Sequence, residues 1–240
     1  MLNVTRSAYY AWDGRHESKR SIRKKELTEQ VKEEFFRNHK IPGARKIAKK
    51  LSTPTTPVGR NSVSKIMREN GWIPKVVKKY KATTNSNHNL PVAENILNRD
   101  FHANKLNQKW VSDITYIPTD EGWLYLAGVL DLCGRELVGW AMGERMTKEL
   151  VITALRQAKG RRGNPKRDGF ICSMSRKGNC WDNAPMESFW GKLKQEWLND
   201  RHFRTRESAK RAIFWYIEVY YKNYRLHESN DYKTPRDYAV

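Results

Sequence analysis

The sequence KWVSDITYIP, residues 109–118, alternates two sets of side chains and therefore predicts a β-strand. One face presents Trp110, Ser112, Ile114 and Tyr116, and the other presents Val111, Asp113, Thr115 and Ile117. Aspartate is uncommon in strands, and a buried carboxylate needs a cation or hydrogen-bond donors. Asp113 is therefore a candidate metal ligand or catalytic residue, and the alternative is a strand-end Asp that faces water.

Two apolar segments follow this strand and extend it into a sheet. GWLYLAGVLDL, residues 122–132, is almost continuously apolar, as a buried central strand would be. ELVGWAM, residues 136–142, is a third strand, and the short CGR link before it predicts a hairpin. Asp131 is interpreted as a turn or hydrogen-bonding residue, with a direct catalytic role as the alternative. Thr147 then precedes a helical pattern, so the element order predicts an α/β fold.

The segment SMSRKGNCWDNAPMESFWGKLKQEW, residues 173–197, predicts a helix with a functional face. Asp182 or Asn183 can cap this helix, and Pro185 is tolerated in its first turn. Its core stripe would be Met186, Phe189, Trp190, Leu193 and Trp197. Glu187 and Lys194 lie seven residues apart on an adjacent face, where they could hold a metal ion and a phosphate. The ordinary alternative is a solvent-exposed Glu and Lys.

Composition favours a polyanionic partner, most often nucleic acid. The net charge is +20, and residues 1–100 contain 22 Lys and Arg against 9 Asp and Glu. Ribosomal or membrane-surface binding would produce the same sign. The three cysteines form no CxxC pair, which suggests a reducing compartment. No apolar run is long enough to span a membrane, and the N-terminus lacks a signal-peptide pattern, so we expect a soluble intracellular protein.

Residues 20–77 predict a small all-α helix-turn-helix domain. Three helical stretches are separated by Pro42-Gly43 and by STPTTPVG, residues 52–59, and the third would start at an Asn61 or Ser62 cap and stop at Gly71. Its DNA-facing residues would be Arg60, Asn61, Ser64, Lys65 and Arg68. The alternative is a plain three-helix bundle with a solvated basic face. Residues 1–19 form an N-terminal segment, 78–100 a linker and 101–240 the second domain.

Three segments together resemble the DDE transposases of bacterial insertion sequences: WVSDITYIP, YLAGVLDLCGRELVGWAM and SMSRKGNCWDNAPMESFWGKLKQE. The likeness is to the second-reading-frame, OrfB-like protein made from two overlapping frames, and it covers nearly the whole chain. The tail YYKNYRLHESNDYKTPRDY is similar to the C-terminal pattern of that family. It departs from the pattern at Asn230-Asp231, where Leu-Gly is usual.

The resemblance implies an RNase H-like mixed sheet with flanking helices and an Asp, Asp, Glu triad that binds two Mg²⁺ or Mn²⁺ ions. By position, Asp113 is the first Asp, Glu187 is the Glu, and Lys194 is the basic residue that contacts DNA. The implied reaction is metal-dependent DNA strand cleavage and strand transfer. The implied partners are double-stranded DNA, at insertion-sequence ends and at the target, and a homo-oligomer or a mixed oligomer with an intact transposase. The implied location is the bacterial cytoplasm, with nucleoid association when DNA is bound.

The second Asp of the triad has no counterpart in this sequence. Ile152, in the helix after the third strand, stands where the family has a strand with that Asp, and we expect a block carrying the fourth strand to be missing between Lys166 and Gly169. Asp168 is the nearby acid that could substitute. FICSM, residues 170–174, could occupy the vacant place beside the first strand; otherwise the core carries a gap.

Three functional hypotheses follow from this departure. The first is an internally deleted transposase that still binds DNA but is impaired in strand cleavage and transfer. The second is a non-catalytic DNA-binding inhibitor of an intact sibling transposase. The third is a chain that never accumulates as folded protein.

Overall fold

The computed structural model describes residues 5–13, 17–75, 93–162, 169–175 and 180–239. The chain divides into two compact units, Met1–Pro74 and Lys75–Val240. The end predicted for the first domain, residue 77, lies outside the described residues, as do residues 78–92 of the predicted linker.

The first unit is all-helical, as predicted. It contains α1 (Arg6–Asp13), α2 (Lys19–Arg37), α3 (Ala44–Leu51) and α4 (Arg60–Glu69). Helices α2, α3 and α4 bury one face each in a shared apolar core, as expected for amphipathic helices. That core consists of Val31, Phe35, Ile47, Ala48, Val63, Ile66 and Met67.

The start of α4 differs from the prediction. Gly59, in extended conformation, is the N-cap, so the predicted caps Asn61 and Ser62 are wrong and lie within the first turn. Glycine is also a common N-cap, although it has no side chain to accept a hydrogen bond. A polar pair near the helix start therefore does not by itself identify the cap. The predicted stop is confirmed, because Gly71 follows the helix with a left-handed φ of +66° and donates its N–H to Arg68 O.

The second unit is built on an antiparallel sheet with the order β1-β2-β3. The strands are β1 (Trp110–Thr119), β2 (Gly122–Asp131) and β3 (Leu137–Gly143), which confirms all three predicted strands and the hairpin between the second and third. In the register, Asp113 of β1 lies directly opposite Gly128 of β2. The observed architecture is thus α/β with an N-terminal helical unit, as predicted.

Strand β1 lies at an edge of the sheet within the described part of the chain. The parallel strand that would make the sheet mixed is not seen there. Residues 169–175 form no strand: Phe170 packs its ring on Trp110 at 5.3 Å, and Met174 N–H donates to Glu94 O. The suggested pairing of residues 170–174 with β1 is therefore wrong. Residues 163–168, which include Asp168 and most of the expected deletion point, lie outside the described residues.

Within the described residues, four α-helices complete the second unit: α5 (Lys148–Arg162), α6 (Ala184–Leu193), α7 (Arg206–Phe214) and α8 (Pro235–Tyr238). Helix α6 continues into a π-helical turn over Lys194–Leu198, and α7 into another over Trp215–Tyr221. Helix α5 packs over Ala127 and Val129, whereas α6 packs over Gly128. Because alternate strand residues face opposite sides, α5 and α6 cover opposite faces of the sheet.

Two glycines set the distance between the sheet and these helices. A Cβ at Gly128 would lie 2.8 Å from Trp190 Cη2 of α6. A Cβ at Gly139 would lie 2.2 Å from Ala154 O of α5. Both helices therefore approach the sheet more closely than a residue with a Cβ atom at position 128 or 139 would allow.

Asp131 has the structural role expected of it. Its buried carboxylate accepts hydrogen bonds from the backbone N–H groups of Cys133, at 2.8 Å, and Asn107, at 2.7 Å. A third N–H, that of Gly134, lies 3.4 Å from the same carboxylate. Asp131 thus holds the β2–β3 turn.

Among the described residues, no helix has both the length and the apolar character needed to cross a membrane. Cys133 and Cys172 are free thiols, the first buried and the second exposed.

Candidate active site

Asp113 lies on the face of β1 that α6 covers. Its Oδ2 accepts a hydrogen bond from the indole Nε1 of Trp190 at 3.2 Å. Burial raises the pKa of Asp113, although hydrogen bonds from the Ile114 N–H and Trp190, and the charge of Lys194, act in the opposite direction. The side chain is therefore a carboxylate held in a partly dehydrated place, as a metal ligand or catalytic acid would be.

Glu187 lies in the first turn of α6 and is half-buried. Its pKa is raised by burial and then by the negative charge of Asp113. The charge of Asp113 thus acts on Glu187, so the two acids lie near each other. The structure thus brings together the two acids that sequence spacing singled out.

Lys194 is the first residue of the π-helical turn that extends α6. Burial lowers its pKa, while the charge of Asp113 raises it. Its Nζ lies 5.1 Å from the centroid of the Tyr116 ring, over the ring face. Lys194 therefore lies near Asp113 at the edge of the sheet, where its ammonium group also interacts with the Tyr116 ring.

Several contacts fix α6 over β1. Asn183 Nδ2 donates to Ser112 O at 3.1 Å, next to Asp113 in the strand. The preceding turn is anchored by Asp182, whose buried carboxylate accepts from Arg99 Nε at 3.0 Å and from Asn95 Nδ2 at 2.9 Å. Asp182 is therefore an anchor and not the helix cap that was predicted as one option. Asn183 occupies the cap position without a side-chain capping bond.

A buried ion pair holds the π-helical turn that begins at Lys194. Arg225 Nε and Nη2 donate to the Glu196 carboxylate at distances from 2.7 to 3.1 Å. The Tyr216 hydroxyl donates to Glu196 Oε2 at 2.7 Å. Separating the two side chains would leave an uncompensated buried charge, which is costly. The pair therefore holds in place the backbone of the turn that begins at Lys194.

The donor set fits one hard divalent cation bound between two protein carboxylates. Asp113 and Glu187 supply oxygen ligands, which Mg²⁺ and Mn²⁺ prefer, and a cation would offset the negative charge of Asp113 that contributes to the raised pKa of Glu187. A third acid is not found near them: no group of three His, Cys, Asp or Glu suited to a metal exists within the described residues. The suggested substitute, Asp168, lies outside those residues.

The five residues predicted to face DNA all belong to α4, and all five side chains are exposed: Arg60, Asn61, Ser64, Lys65 and Arg68. The opposite side of α4 is buried in the core of the first unit. Lys65 lies 3.9 Å from Glu69 one turn later, a distance at which an exposed pair contributes little. The helix therefore presents a polar, mostly basic face.

Sequence reasoning missed five residues around the site: Tyr116, Asn183 as a sheet contact, Trp190 as a donor to Asp113, and Glu196 and Arg225 as a buried ion pair. Trp190 had been assigned only to the core stripe, although an indole N–H that is buried usually has an acceptor. Arg225 stands in the C-terminal segment that carried part of the family resemblance, which was the available signal. No local pattern points to Tyr116.

Comparisons with known proteins agree with this architecture. Two families described as Integrase core domain match residues 103–183 and 161–235, and together they span the carboxylates, α6 and most of the C-terminal segment. A family described as HTH-like domain matches residues 23–80, which contain α2, α3 and α4.

Curated relatives cover almost the whole chain. The Insertion element IS600 uncharacterized 31 kDa protein of Shigella sonnei is 41% identical over 249 residues, covering 95% of this chain and 92% of the relative. Transposase InsF for insertion sequence IS3A of Escherichia coli (strain K12) is 38% identical over 251 residues, covering 95% of this chain and 87% of the relative. With its HTH-like domain followed by an integrase core, the chain belongs to the IS3 family of insertion-sequence transposases.

Proposed function

We propose that this protein binds the DNA ends of an insertion sequence and that its strand-cleavage and strand-transfer chemistry is impaired. Integrase-core transposases bind DNA and generally use a divalent metal ion, and the chain has both the HTH-like domain and the integrase core. The observation that carries the proposal is that Asp113 and Glu187 come together, while no third carboxylate joins them within the described residues.

Each residue of the site has a distinct role in this proposal. Asp113 and Glu187 would hold a divalent metal ion, which would supply activation of a water or 3′ hydroxyl and stabilisation of the leaving oxygen. Lys194 pairs with a phosphate oxygen of the DNA strand, because its ammonium group lies near Asp113. Trp190 orients Asp113 through its indole N–H. In the first unit, the exposed side chains of α4 contact duplex DNA.

The aligned lengths support a missing block. The chain contributes 95% of its 240 residues to an alignment of 251 positions with the IS3A transposase. About 20 aligned positions of that relative therefore have no counterpart in this chain. A gap of that size, placed between α5 and α6, would remove a strand and the acid on it.

A site with two carboxylates should bind a divalent ion weakly and place the nucleophile poorly, because one ligand of the two-metal arrangement is absent. The test uses the purified full chain, plasmid DNA carrying both insertion-sequence ends, and Mg²⁺ or Mn²⁺. We expect retarded DNA without cleavage above the level of the Asp113→Asn variant. Robust cleavage that Asp113→Asn abolishes would contradict impaired chemistry. Failure to bind the ends would contradict the DNA-binding part.

Inhibition of an intact sibling transposase is the second candidate function. It is favoured by the preserved flanks, since the exposed α4 face and the C-terminal segment remain around an incomplete acid cluster. The protein would compete for the same ends or enter mixed oligomers in the bacterial cytoplasm, associated with the nucleoid when DNA is bound. Co-expression with an intact relative is the test. We expect a lower transposition frequency, and an unchanged frequency would exclude this role.

A further inference from the structure

Two aromatic side chains lie exposed beside the carboxylate site. The Tyr116 side chain of β1 is 39% exposed, and that of Trp123 at the start of β2 is 48% exposed. Their ring centroids are 4.9 Å apart, and the planes meet edge to face at 81°. The two rings therefore form one exposed aromatic shelf, defined here by Tyr116 and Trp123.

The shelf adjoins the proposed catalytic residues around the edge of the sheet. Tyr116 follows Asp113 by three residues, so its backbone lies about 10 Å further along the strand. The two side chains point to opposite faces of the sheet, and Lys194 bridges them at the edge with its Nζ 5.1 Å from the Tyr116 ring centroid. The backbone separation of Asp113 and Tyr116 along the strand corresponds to about three nucleotides of DNA, at about 3.4 Å per nucleotide.

We propose that this aromatic shelf stacks unpaired bases at the end of the DNA, while Lys194 holds the phosphate beside them. A cation next to an exposed aromatic face is the combination with which proteins bind single-stranded nucleic acid. The chain's net charge of +20 favours a nucleic-acid strand over a neutral partner at this place. This inference rests on the proposed function, because it names the part of the DNA that the same site receives.

The geometry explains why stacking fits this shelf better than a purely structural role. Large aromatic rings contribute to stability mainly through burial, and about half of the Trp123 side chain remains in water. Lys194 Nζ lies over the Tyr116 ring, 5.1 Å from its centroid. The shelf therefore offers apolar ring surface next to a charge.

The experiment compares two DNA probes with the full-length chain, without added metal so that no cleavage occurs. One probe is a blunt duplex, and the other carries a three-nucleotide single-stranded 3′ extension with 2-aminopurine in it. Affinity and 2-aminopurine fluorescence are measured for the natural chain and for Tyr116→Ala, Trp123→Ala and Tyr116→Phe. Tyr224→Ala is the matched control, because Tyr224 is 52% exposed and lies outside the shelf.

We expect tighter binding of the extended probe and quenched 2-aminopurine fluorescence. Loss of one stacking ring should weaken that binding roughly 5- to 100-fold in Tyr116→Ala and Trp123→Ala. Tyr116→Phe and Tyr224→Ala should behave like the natural chain. Circular dichroism of each variant separates loss of stacking from loss of folding.

Three outcomes would overturn the inference. Equal affinity for both probes would contradict the shelf alone, since duplex binding would leave the proposed function intact. Binding of neither probe would contradict the proposed function as well. Loss of an oligomer in Trp123→Ala, with unchanged binding of the extended probe, would show that the shelf contacts a second protein chain instead.

Discussion

At the scale of single residues, the Asp113 carboxylate lowers the stability of the folded protein. It stands in a strand and receives an indole hydrogen bond, yet burial raises its pKa. Because its pKa in the folded chain lies above that in the unfolded chain, the folded state keeps this proton up to a higher pH. The carboxylate therefore lowers stability progressively as the pH rises from the ordinary carboxyl range of about 4 through the raised pKa.

Replacing Asp113 by Asn should therefore stabilise the metal-free protein at neutral pH. The amide oxygen can still accept from Trp190, while the buried negative charge disappears. We expect a melting temperature higher by a few degrees, at about 2–4 °C per kcal/mol for a chain of this size. Differential scanning calorimetry at about pH 7 and about pH 4 provides the measurement. A variant that melts lower than the natural chain at neutral pH would contradict this account of Asp113.

Metal binding should depend on pH through the same two carboxylates. Asp113 and Glu187 both have raised pKa values, so protons compete with the cation above the ordinary carboxyl range. We expect the affinity for Mn²⁺, followed by electron paramagnetic resonance, to keep rising between about pH 5 and about pH 7. The Glu187→Gln variant should bind more weakly and with a shallower pH dependence. Affinity that is constant over this range in the natural chain would refute the assignment.

At the scale of elements, the packing of α5 and α6 on the sheet depends on two glycines that allow close approach. Gly128 lets α6 bring Trp190 to Asp113, and Gly139 lets α5 cover the other face. These glycines were part of predicted apolar strands, but their tight contacts could not be foreseen, because the helices they meet are remote in sequence. The existence of the elements was predictable from periodicity, whereas the spacing between them was not.

Gly139→Ala should destabilise the protein, because the new methyl group would meet the Ala154 carbonyl oxygen of α5 at 2.2 Å. Overpacking of this kind costs about 1–3 kcal/mol. The control is Gly160→Ala in α5, where nothing lies within 4 Å and Ala should stabilise the helix by about 0.5–1 kcal/mol. Urea unfolding of both variants gives the comparison. Equal stability of the two would show that the approach of α5 does not require Gly139.

The exposed face of α4 gives a second prediction at the scale of elements. Arg68→Ala should weaken binding to insertion-sequence ends and reduce the salt dependence of the affinity by about one unit of slope, if Arg68 contacts a phosphate. The control is Lys32→Ala, which removes an exposed cation of α2. Fluorescence anisotropy at several salt concentrations provides the slopes. Identical slopes for the two variants would argue against α4 as the DNA-contacting helix.

At the scale of the whole molecule, the sequence predicted the order of the elements and the two carboxylates, because alternation and helical spacing are local. It did not predict the contacts that assemble the site. Trp190 and Asp113 are 77 residues apart, and Glu196 and Arg225 are 29 apart. The α4 cap was missed because Gly59 competes with polar neighbours for that role. Long-range pairs therefore remain the part that a single sequence leaves open.

We propose that this chain binds DNA but has a carboxylate site that lacks one acid. The most direct measurement compares Mg²⁺-dependent cleavage of insertion-sequence ends by this chain and by a chimera. The chimera receives, between α5 and α6, the corresponding block of the IS3A transposase, including its acidic residue. We expect cleavage by the chimera and none by the natural chain above its Asp113→Asn background. Equal behaviour of the two proteins, whether both cleave or neither does, would contradict the claim.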